Sequence, residues 1–417
     1  MSKLEQLIAE HCPDGVQFKT LGELGSFYGG LSGKSKADFT DGNAKFITYM
    51  NVFTNMALKI DVPEKVKIGV NEKQNTIQYG DILFTGSSET PDECGFSAVV
   101  TRVPEKPLYL NSFCFFFRFD DISIVEPDFL KHLFRSRDLR YQIGKTASGV
   151  TRFNVSKDKM GKILIPVPPL PVQGEIVRIL DNFTKLTAKL TAELTAELTA
   201  RRKQYQYYLN SFFENQAENS VQLCELGTLT RGKRFVHADV ADNGVPCIHY
   251  GELYTYYGVH ADVVKSHIRE ELRSKMRYAH KGDVIIVGAG ENNTDIGVGV
   301  AWEGDEDVAV HDACYTLSHK QNAKYISYYL RSDMYHNQIK KYVSEGKICS
   351  ISAAGLGKAL IPVPAMDEQN RIVSILDRFD VLCNDISTGI PAEIEARQQQ
   401  YKFYRDNILS FRQEAKS

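Results

Sequence analysis

The sequence lacks the patterns that mark membrane, secreted or metal-bound proteins. No apolar run approaches the roughly 18 residues that cross a bilayer, and the N-terminal segment Met1–Leu7 lacks the apolar core of a signal peptide. The eight cysteines are scattered without a C-x-x-C pair, so the sequence indicates neither a zinc site nor a disulfide framework. We therefore expect a cytoplasmic protein with reduced thiols, no bound metal and no membrane association.

An excess of charge of one sign is also missing. Lys and Arg number 50 and Asp and Glu number 52, which leaves a formal net charge of −2. Such a chain is not a globally basic nucleic-acid binder, so any nucleic-acid surface must be a local basic patch. With 417 residues, 43% of them hydrophobic, the chain has the composition of a globular protein of two or three domains.

One stretch, residues 172–213, contains no proline and a single glycine, and it predicts a helix of about 40 residues or about 60 Å. Pro171 disfavours helix before it. The middle of the stretch is a four-residue repeat, Leu-Thr-Ala-Lys/Glu, whose leucines follow a stripe that winds slowly around the helix. A helix of this length does not fit inside one small domain, so we expect a spacer or half of a coiled coil.

The chain is a tandem duplication. The segment Ile-Pro-Val-Pro at 165–168 returns at 361–364, and Gln173 returns as Gln369, an offset of 369 − 173 = 196. The Gln-Tyr-x-x-Tyr segment that starts at Gln204 returns with the same offset at Gln400. Upstream, Leu-x-Glu-Leu-Gly recurs with an offset of 202, at residues 21–25 and 223–227. Each copy is a variable globular part followed by a shared helix, and such self-similarity outranks any local pattern.

Together these features resemble the specificity (S) subunit of type I restriction-modification systems. That family has two target-recognition domains, each followed by a helical region with Ile-Pro-x-Pro, a Gln four or five residues further on, and a Gln-Tyr-x-x-Tyr patch. The likeness covers nearly the whole chain. It implies that each domain reads one half of a split target in double-stranded DNA and that the helices set the gap between the halves.

The resemblance also implies partners. Two methyltransferase (M) subunits would dock on the chain and methylate adenine with S-adenosylmethionine, and motor-nuclease (R) subunits would join them for cleavage. S-adenosylmethionine, ATP and Mg²⁺ are then expected on the partner subunits, and no cofactor is expected on this chain.

The predicted fold is α+β, a tandem duplication of an α/β target-recognition domain plus a long helix. Two equivalent units can bury both apolar stripes only if the helices run in opposite directions around a dyad, so we expect an antiparallel coiled-coil spacer. In the second helix Pro391 should cause a break, with Ser387 or Thr388 as the N-cap of a new helix. The predicted boundaries are recognition domains at 1–165 and 216–361 and helical regions at 166–215 and 362–417.

Several local elements are also predicted. Alternating or continuous apolar residues indicate strands, and helical spacing of apolar residues indicates one helix over residues 128–141. The predicted strands lie at residues 46–50, 65–68, 81–84, 97–102 and 112–119 in the first copy and at 284–287 in the second.

In the first copy three polar segments are candidates for DNA contact. The glycine turn at 29–35 fails the P-loop pattern, because residue 28 is Tyr and no helix-forming sequence follows. It is either a plain turn or a basic loop that approaches phosphates. The loop at 85–94 and the segment at 146–152 carry hydroxyls and a cation that suit base edges, although ordinary surface loops look the same. The candidates are Gly30, Lys34, Ser35, Lys36, Thr85, Ser87, Ser88, Thr151 and Arg152.

The second copy has its own candidates. A basic cluster at 230–235 suits phosphates, an aromatic segment at 249–258 suits a nucleic-acid surface or ordinary packing, and the loop at 288–294 offers amides that can bind adenine. The candidate DNA contacts are Arg231, Lys233, Arg234, Tyr250, Glu291, Asn292, Asn293 and Lys347. The candidate spacer and partner-docking residues are Gln173, Leu186, Leu190, Leu194, Leu198, Tyr205, Tyr208, Gln369, Tyr401 and Tyr404.

The sequence offers no catalytic residues. The Asn/Asp-Pro-Pro-Tyr/Phe motif of adenine methylation is absent, because the run Val167-Pro-Pro-Leu170 lacks both flanking residues. No P-loop and no carboxylate-Lys nuclease pattern stands out. We therefore predict a non-catalytic specificity subunit. The alternatives are a DNA modification or repair enzyme with its own site, and a coiled-coil scaffold without a DNA role.

Overall fold

The computed structural model describes residues 2–216, 219–384 and 388–414. The chain divides into two compact units, the first of Met1–Ala192 with Glu395–Ser417 and the second of Glu193–Ile394. Among the described residues, no helix is both long and apolar enough to cross a membrane. The same residues contain no cluster of His, Cys, Asp and Glu that could hold a metal ion.

The α-helices include one that is far longer than the others. The helices are α1 Lys3–His11, α2 Leu21–Leu24, α3 Tyr49–Thr54, α4 Pro127–Leu133, α5 Arg137–Gly144, α6 Lys157–Met160, α7 Leu170–Glu214, α8 Leu223–Leu226, α9 Glu252–Thr255, α10 Ala323–Tyr329, α11 Asp333–Ile339, α12 Ala353–Gly357, α13 Met366–Asn384 and α14 Ile390–Ile408. Helix α7 has 45 residues and confirms the long helix predicted over 172–213. Pro171 lies in its first turn, where its missing N–H removes no helical hydrogen bond.

The C-terminal helical arm is broken, as Pro391 predicts. Helix α13 ends at Asn384 and helix α14 begins at Ile390. Because α14 starts one residue earlier than predicted, Gly389 rather than Thr388 directly precedes it. Ser387, the other predicted cap, lies outside the described residues.

The first unit carries short strands in several small sheets. The strands are β1 Phe18–Thr20, β2 Gly25–Gly29, β3 Ala44–Ile47, β4 Lys65–Val66, β5 Ile82–Thr85, β6 Ser87–Ser88, β7 Ser97–Val99, β8 Leu108–Leu110, β9 Cys114–Phe119, β10 Ala147–Ser148, β11 Phe153–Val155 and β12 Leu164–Pro166. The sheet orders are β2-β9-β5-β7, β4-β3-β8, β10-β11-β6 and β1-β12. Strands β3 and β8 are parallel, and the other pairs are antiparallel.

The central sheet of this unit is buried on both faces. Side chains alternate along a strand, so Phe115 and Phe117 of β9 enter one apolar core with helices α4 and α5, while Phe116 enters a second core with Leu83. Burial on both faces explains why β5 and β9 read as continuous apolar runs rather than alternating ones.

The second unit has larger sheets on the same plan. Its strands are β13 Ser220–Gln222, β14 Gly227–Arg231, β15 Val240–Ala241, β16 Val245–Ile248, β17 His260–Ala261, β18 Ser266–Ile268, β19 Tyr278–Ala279, β20 Val284–Val287, β21 Ala289–Gly290, β22 Gly299–Trp302, β23 Val308–Val310, β24 Cys314–His319, β25 Cys349–Ser350 and β26 Leu360–Pro362. The sheet orders are β14-β24-β20-β22-β17, β15-β18-β16-β23-β19, β21-β25 and β13-β26.

Several local predictions were wrong in part, and the strands predicted at 65–68 and 97–102 end at Val66 and Val99. The helix predicted over 128–141 is split into α4 and α5, because Ser136 turns the chain and its hydroxyl donates to the Leu133 carbonyl at 2.7 Å. Neither glycine nor proline signals that break. The strand predicted over 46–50 ends at Ile47, and helix α3 follows because Thr48 accepts a capping hydrogen bond from the Asn51 amide at 3.3 Å.

Gln173 and Gln369 join each helix to the globular part of its own unit. The Gln173 amide accepts from the Glu126 N–H at 2.8 Å and donates to the carbonyls of Ile124 and Pro168 at 2.9 and 2.7 Å. Gln369 binds the Asn322 N–H, the Gln321 side chain and the Pro364 carbonyl in the same way. Both are buried and stabilise this junction, and their role in docking a partner stays a prediction.

In the first unit the start of α7 packs against α14. The rings of Phe183 and Tyr404 stack with centroids 5.6 Å apart. The Thr184 hydroxyl donates to the Tyr401 hydroxyl oxygen at 3.0 Å. The higher number on α7 therefore meets the lower number on α14, so the two helices are antiparallel.

In the second unit the end of α7 packs against α13 in the same sense. The ring of Phe379 lies 5.4 Å from Tyr208 and 6.4 Å from Tyr205. Arg202, further back on α7, donates to the Cys383 carbonyl at 3.4 Å. The predicted antiparallel helix packing is thus confirmed within each unit.

The leucines of the repeat do not form one buried stripe. Leu186 and Leu190 are 65% and 36% exposed, whereas Leu194 and Leu198 are half-buried. A coiled-coil seam repeats every 3.5 residues, whereas these leucines repeat every four residues. The leucines therefore coincide with the seam only over a short distance. Half-buried positions recur at the alternating three- and four-residue spacing of such a seam, at 184, 187, 191, 194, 198, 201 and 205.

Candidate nucleic-acid interface

The first unit contains an open pocket that brings together two of the predicted segments. Its volume is about 510 Å³, and it is lined by polar groups and by the aromatic side chains of Tyr49, Phe53 and Phe113. Four predicted residues line it: Ser87, Ser88, Thr151 and Arg152. We call this cavity the β6 pocket.

Strand pairing builds the β6 pocket. Strand β11 pairs with β6, placing Ser88 opposite Phe153 and Ser87 opposite Asn154, although the two segments lie more than 60 residues apart. Gly86, just before β6, donates its N–H to the Phe113 carbonyl at 2.8 Å, and a Cβ at Gly86 would lie 2.7 Å from that oxygen. Only glycine therefore allows this close approach of backbones.

Hydrogen bonds fix the charged groups of the β6 pocket. Arg152 Nε donates to Ser87 Oγ at 3.1 Å, and the Ser87 carbonyl accepts from the Tyr49 hydroxyl at 2.9 Å. Glu93 Oε2 accepts from the hydroxyls of Ser88 and Thr90 at 3.2 and 3.0 Å. Burial raises the pKa of Tyr49, so its hydroxyl stays protonated and donates.

Thr85 lies beneath this surface. Its side chain is fully buried at the end of β5. In the described structure Thr85 therefore belongs to the core rather than to an accessible contact surface, contrary to its selection from sequence. The reason is that β5 extends to Thr85, so the polar loop starts one residue later than the composition indicates, at Gly86.

The glycine turn at residues 29–35 folds back on its own unit. The Lys34 ammonium donates to Glu72 and to the Lys67 carbonyl, both at 2.6 Å, and its side chain is 8% exposed. The Gly69 N–H and Lys34 together hold the pKa of Glu72 down to about 2. The Lys34 charge is therefore neutralised within the unit, which leaves it poorly placed for a phosphate.

The neighbours of Lys34 have different environments. The Ser35 N–H and hydroxyl both donate to Asp38 at 2.8 Å. Gly30 lies against the Asn111 carbonyl, where a Cβ would collide. Lys36 is exposed.

The basic cluster of the second unit lies along an exposed strip of the chain. Arg231, Lys233 and Arg234 are exposed, and Phe235 anchors the strip by burial against His311, with ring centroids 4.9 Å apart. Three cations on one exposed strip match the local basic patch expected from the sequence.

Arg277 adds a fourth cation to this strip. Its Nη1 donates to the Arg231 carbonyl at 2.7 Å, and its side chain is exposed. No local sequence pattern indicates this contact, because 46 residues separate the two arginines. Strand β19, which begins one residue after Arg277, brings it close.

The aromatic segment contributes mainly to packing. The Tyr250 ring lies 4.4 Å from His249 and 5.5 Å from His311 by centroids, and it is half-buried. Burial lowers the pKa of both histidines, so they are neutral near pH 7. The cluster is therefore apolar rather than cationic.

The asparagine loop of the second unit lies where the β6 pocket lies in the first. Strand β21 pairs with β25, which brings Glu291, Asn292 and Asn293 close to the segment that contains Lys347. Asn292 donates to Asp295 at 3.1 Å, and Asn293 donates to Glu345 at 2.6 Å. Glu291, Asn292 and Lys347 are exposed.

Both copies of the duplication match a known protein family. Residues 13–200 and 217–396 each match one family, described as the type I restriction modification DNA specificity domain. The chain belongs to this family. Each copy of the duplication carries one match, so the duplication and the resemblance found in the sequence are both confirmed.

Other specificity subunits are similar to the chain. It is 36% identical over 274 residues to the type I restriction enzyme specificity subunit S.HindORF215P of Haemophilus influenzae, covering 63% of this chain and 68% of that protein. It is 36% identical over 273 residues to the EcoR124I/EcoR124II specificity subunit of Escherichia coli, covering 62% of this chain and 65% of that protein.

Two solved structures share the fold of this chain. A chain from a study of assembly and conformational transition in the type I R-M system has a TM-score of 0.70 at 18% identity, covering 95% of this chain and 98% of that one. The HsdS subunit of Thermoanaerobacter tengcongensis has a TM-score of 0.54 at 18% identity, covering 95% and 96%. At this identity the likeness shows the fold alone.

Proposed function

We propose that this chain is the DNA-binding specificity subunit of a type I restriction-modification complex, in which each globular part reads one half of a bipartite target in double-stranded DNA. One observation carries the proposal. The same pair of segments occurs at the same place in both copies, β6 beside β11 and β21 beside β25, with different side chains on each. Two like readers with unlike side chains suit two unlike half-sites at a fixed spacing.

The helices would set that spacing and dock two methyltransferase subunits, with motor-nuclease subunits joining for cleavage. The exposed Leu186 and Leu190 support docking, because leucines that no core covers are available to a partner. The proposed recognition domains are residues 1–165 and 216–361, and the proposed helical regions are 166–215 and 362–417.

The chain would act without catalytic residues of its own. S-adenosylmethionine, ATP and Mg²⁺ would bind the partner subunits. Support comes from the sequence, which lacks the motifs of adenine methylation and of nucleotide binding. Methyl transfer or DNA cleavage by the purified chain alone would contradict this part of the proposal.

Methylome sequencing of cells with and without this gene tests the central claim. We expect one bipartite adenine-methylation motif that disappears when the gene is deleted and returns on complementation. An unchanged methylome after deletion, in cells that keep the partner subunits, would reject the proposal.

A domain exchange then tests the two-reader arrangement. Residues 21–160 would be replaced by the corresponding segment of another specificity subunit. We expect one half-site to change completely and the other to stay the same. A swap that changes both half-sites, or neither, would contradict independent reading.

A further inference from the structure

Arg152 in the β6 pocket is held in a fixed orientation. Its Nε donates to Ser87 Oγ at 3.1 Å, and its guanidinium carbon lies 5.9 Å from the centroid of the Phe113 ring. Ser87 is only 8% exposed, so burial restricts the motion of the hydroxyl that orients Arg152. Within the described residues the two terminal nitrogens donate no hydrogen bond, which leaves the end of the fork available to a ligand.

Glu93 presents a fixed acceptor in the same pocket. One of its oxygens, Oε2, already accepts from Ser88 and Thr90 at 3.2 and 3.0 Å. No cation pairs with this carboxylate among the described residues, and Glu93 is half-buried. A carboxylate that is partly withdrawn from water and has an open oxygen favours a donor from outside.

We propose that the β6 pocket reads one G·C base pair in the major groove, with Arg152 on guanine and Glu93 on cytosine. The inference rests on the proposed function. Guanine presents two acceptors, N7 and O6, which match the two terminal nitrogens of the arginine fork, and cytosine presents the N4 donor, which matches a carboxylate oxygen. An A·T pair reverses both matches, because the adenine amino group would face the cation and the thymine O4 would face the carboxylate.

The charge of the β6 pocket argues against phosphate as its ligand. Glu89 and Glu93 both line the cavity together with Arg152. Two carboxylates around one cation repel a phosphate, whereas they tolerate a neutral base edge that brings its own donor. The strip at Arg231–Arg234 instead presents three exposed cations.

The test compares methylomes of cells carrying the native partner subunits with the wild-type chain, Arg152→Lys or Glu93→Gln. Lysine keeps the charge but loses the fork, and glutamine keeps the shape but adds a donor. We expect both variants to relax the same single base pair of one half-site from G·C to mixed sequence. Preference for that pair should fall roughly 5- to 100-fold, the size of one bidentate contact. Arg102→Lys, at another exposed arginine of the first unit, is the matched control and should change nothing.

The outcomes separate the inference from the proposed function. A bipartite motif in which both variants keep strict G·C would overturn the base-reading role, as would a motif whose affected half-site contains only A·T pairs. If Arg152→Lys and Glu93→Gln relax the preference at two different base pairs, the two residues do not read one base pair, and the proposal is wrong. Loss of all methylation in one variant indicates misfolding, and the decision then rests on the other variant together with Ser87→Ala, which removes only the orienting acceptor and should relax the same pair less. A methylome that does not depend on this gene would instead reject the proposed function.

Discussion

Gln142 in the first unit and Gln338 in the second stand 196 residues apart and make the same two hydrogen bonds. The Gln142 amide donates to the Leu164 carbonyl at 3.2 Å and accepts from its N–H at 3.1 Å. Gln338 does the same with Leu360, at 3.1 and 2.8 Å. These contacts attach β12 to α5 and β26 to α11, and the duplication has kept them.

The proposed DNA-contact positions, in contrast, differ between the two copies. By strand register, Ser87 corresponds to Ala289, and Arg152, which precedes β11, corresponds to Ile348, which precedes β25. The second unit thus has apolar side chains where the first has a hydroxyl and a cation. Arg152 and Ile348 are exposed, where a substitution costs little stability, whereas Ser87 is buried and Ala289 is half-buried. The duplication has therefore kept the hydrogen bonds that attach the strands to the helices, whereas the side chains at the proposed contact positions differ between the copies.

The largest effect on stability should come from removing the buried glutamine that occurs in both copies. We expect Gln173→Ala and Gln369→Ala each to destabilise their own unit by roughly 2–4 kcal/mol, because each leaves buried backbone groups unsatisfied. Trp302, the single tryptophan, is 2% exposed in the second unit and reports its unfolding in urea by fluorescence. Gln369→Ala should shift the Trp302 transition and Gln173→Ala should leave it in place. Equal shifts of the Trp302 transition in both variants would mean that the two units unfold together. The control is Gln399→Ala, at an exposed glutamine.

The second test separates phosphate contacts from base contacts. Replacing Lys233 and Arg234 with Ala should weaken DNA binding by the assembled complex and reduce the slope of log K against log salt by about 1.8, since each phosphate contact contributes about 0.9. Arg152→Lys should leave that slope unchanged. The control is Lys281→Ala, whose ammonium pairs with Asp305 at 2.6 Å. A wild-type slope in the double variant would show that this strip does not face DNA.

The third test concerns the helix that links the two copies. Inserting one Leu-Thr-Ala-Glu unit after Glu197 adds about 6 Å and about 40° of rotation to α7, against about 3.4 Å per base pair. We expect the unspecified gap in the target to grow by about one base pair, with tilt absorbing the rest, and both half-sites to stay the same. Methylation mapping measures the gap. An unchanged gap at full activity would show that domain contacts set the spacing, and a Gly-Ser-Gly-Ser insertion of equal length tests whether helix is required.

The smallest effect should be a difference in acid sensitivity between the junctions. His132 Nε2 donates to Asp181 at 2.8 Å, whereas Tyr328 occupies the matching position and donates to Asp377 at 2.7 Å. Burial lowers the pKa of His132, and Asp181 only partly opposes this. A lowered folded-state pKa means that stability is complete above the ordinary pKa of about 6.5 and is lost as pH falls below it.

We expect this loss in the first unit to be at most about 1.4 kcal/mol per pH unit. His132→Gln should flatten the dependence between pH 5 and pH 7, as followed by urea unfolding of the whole chain with circular dichroism. The matched control is Tyr328→Phe, which removes no group that titrates in this range and should leave the slope unchanged. An unaltered slope in His132→Gln would assign the acid sensitivity to other groups.

The sequence by itself determined the duplication, the long helix, the break near Pro391 and the family. Each of these depends on local or repeated information. Residues 172–213 contain no proline and many strong helix formers, which favours helix locally over the body of α7. A proline in a helix interior removes a hydrogen bond in any fold. The strands at 82–85 and 284–287 were also found from their apolar runs alone, because burial on both faces leaves that mark in the sequence.

Only the tertiary structure decided which polar residues contact each other and which are already paired within the protein. Lys34 and Arg234 look equally available in the sequence, yet Lys34 is paired with Glu72 at 2.6 Å while Arg234 is exposed. Ser87 and Arg152 meet only because β6 and β11 pair across more than 60 residues. Long-range pairing minimises the free energy of the whole fold rather than of any segment, and a charged residue has the same local pattern whether its partner is a carboxylate or water.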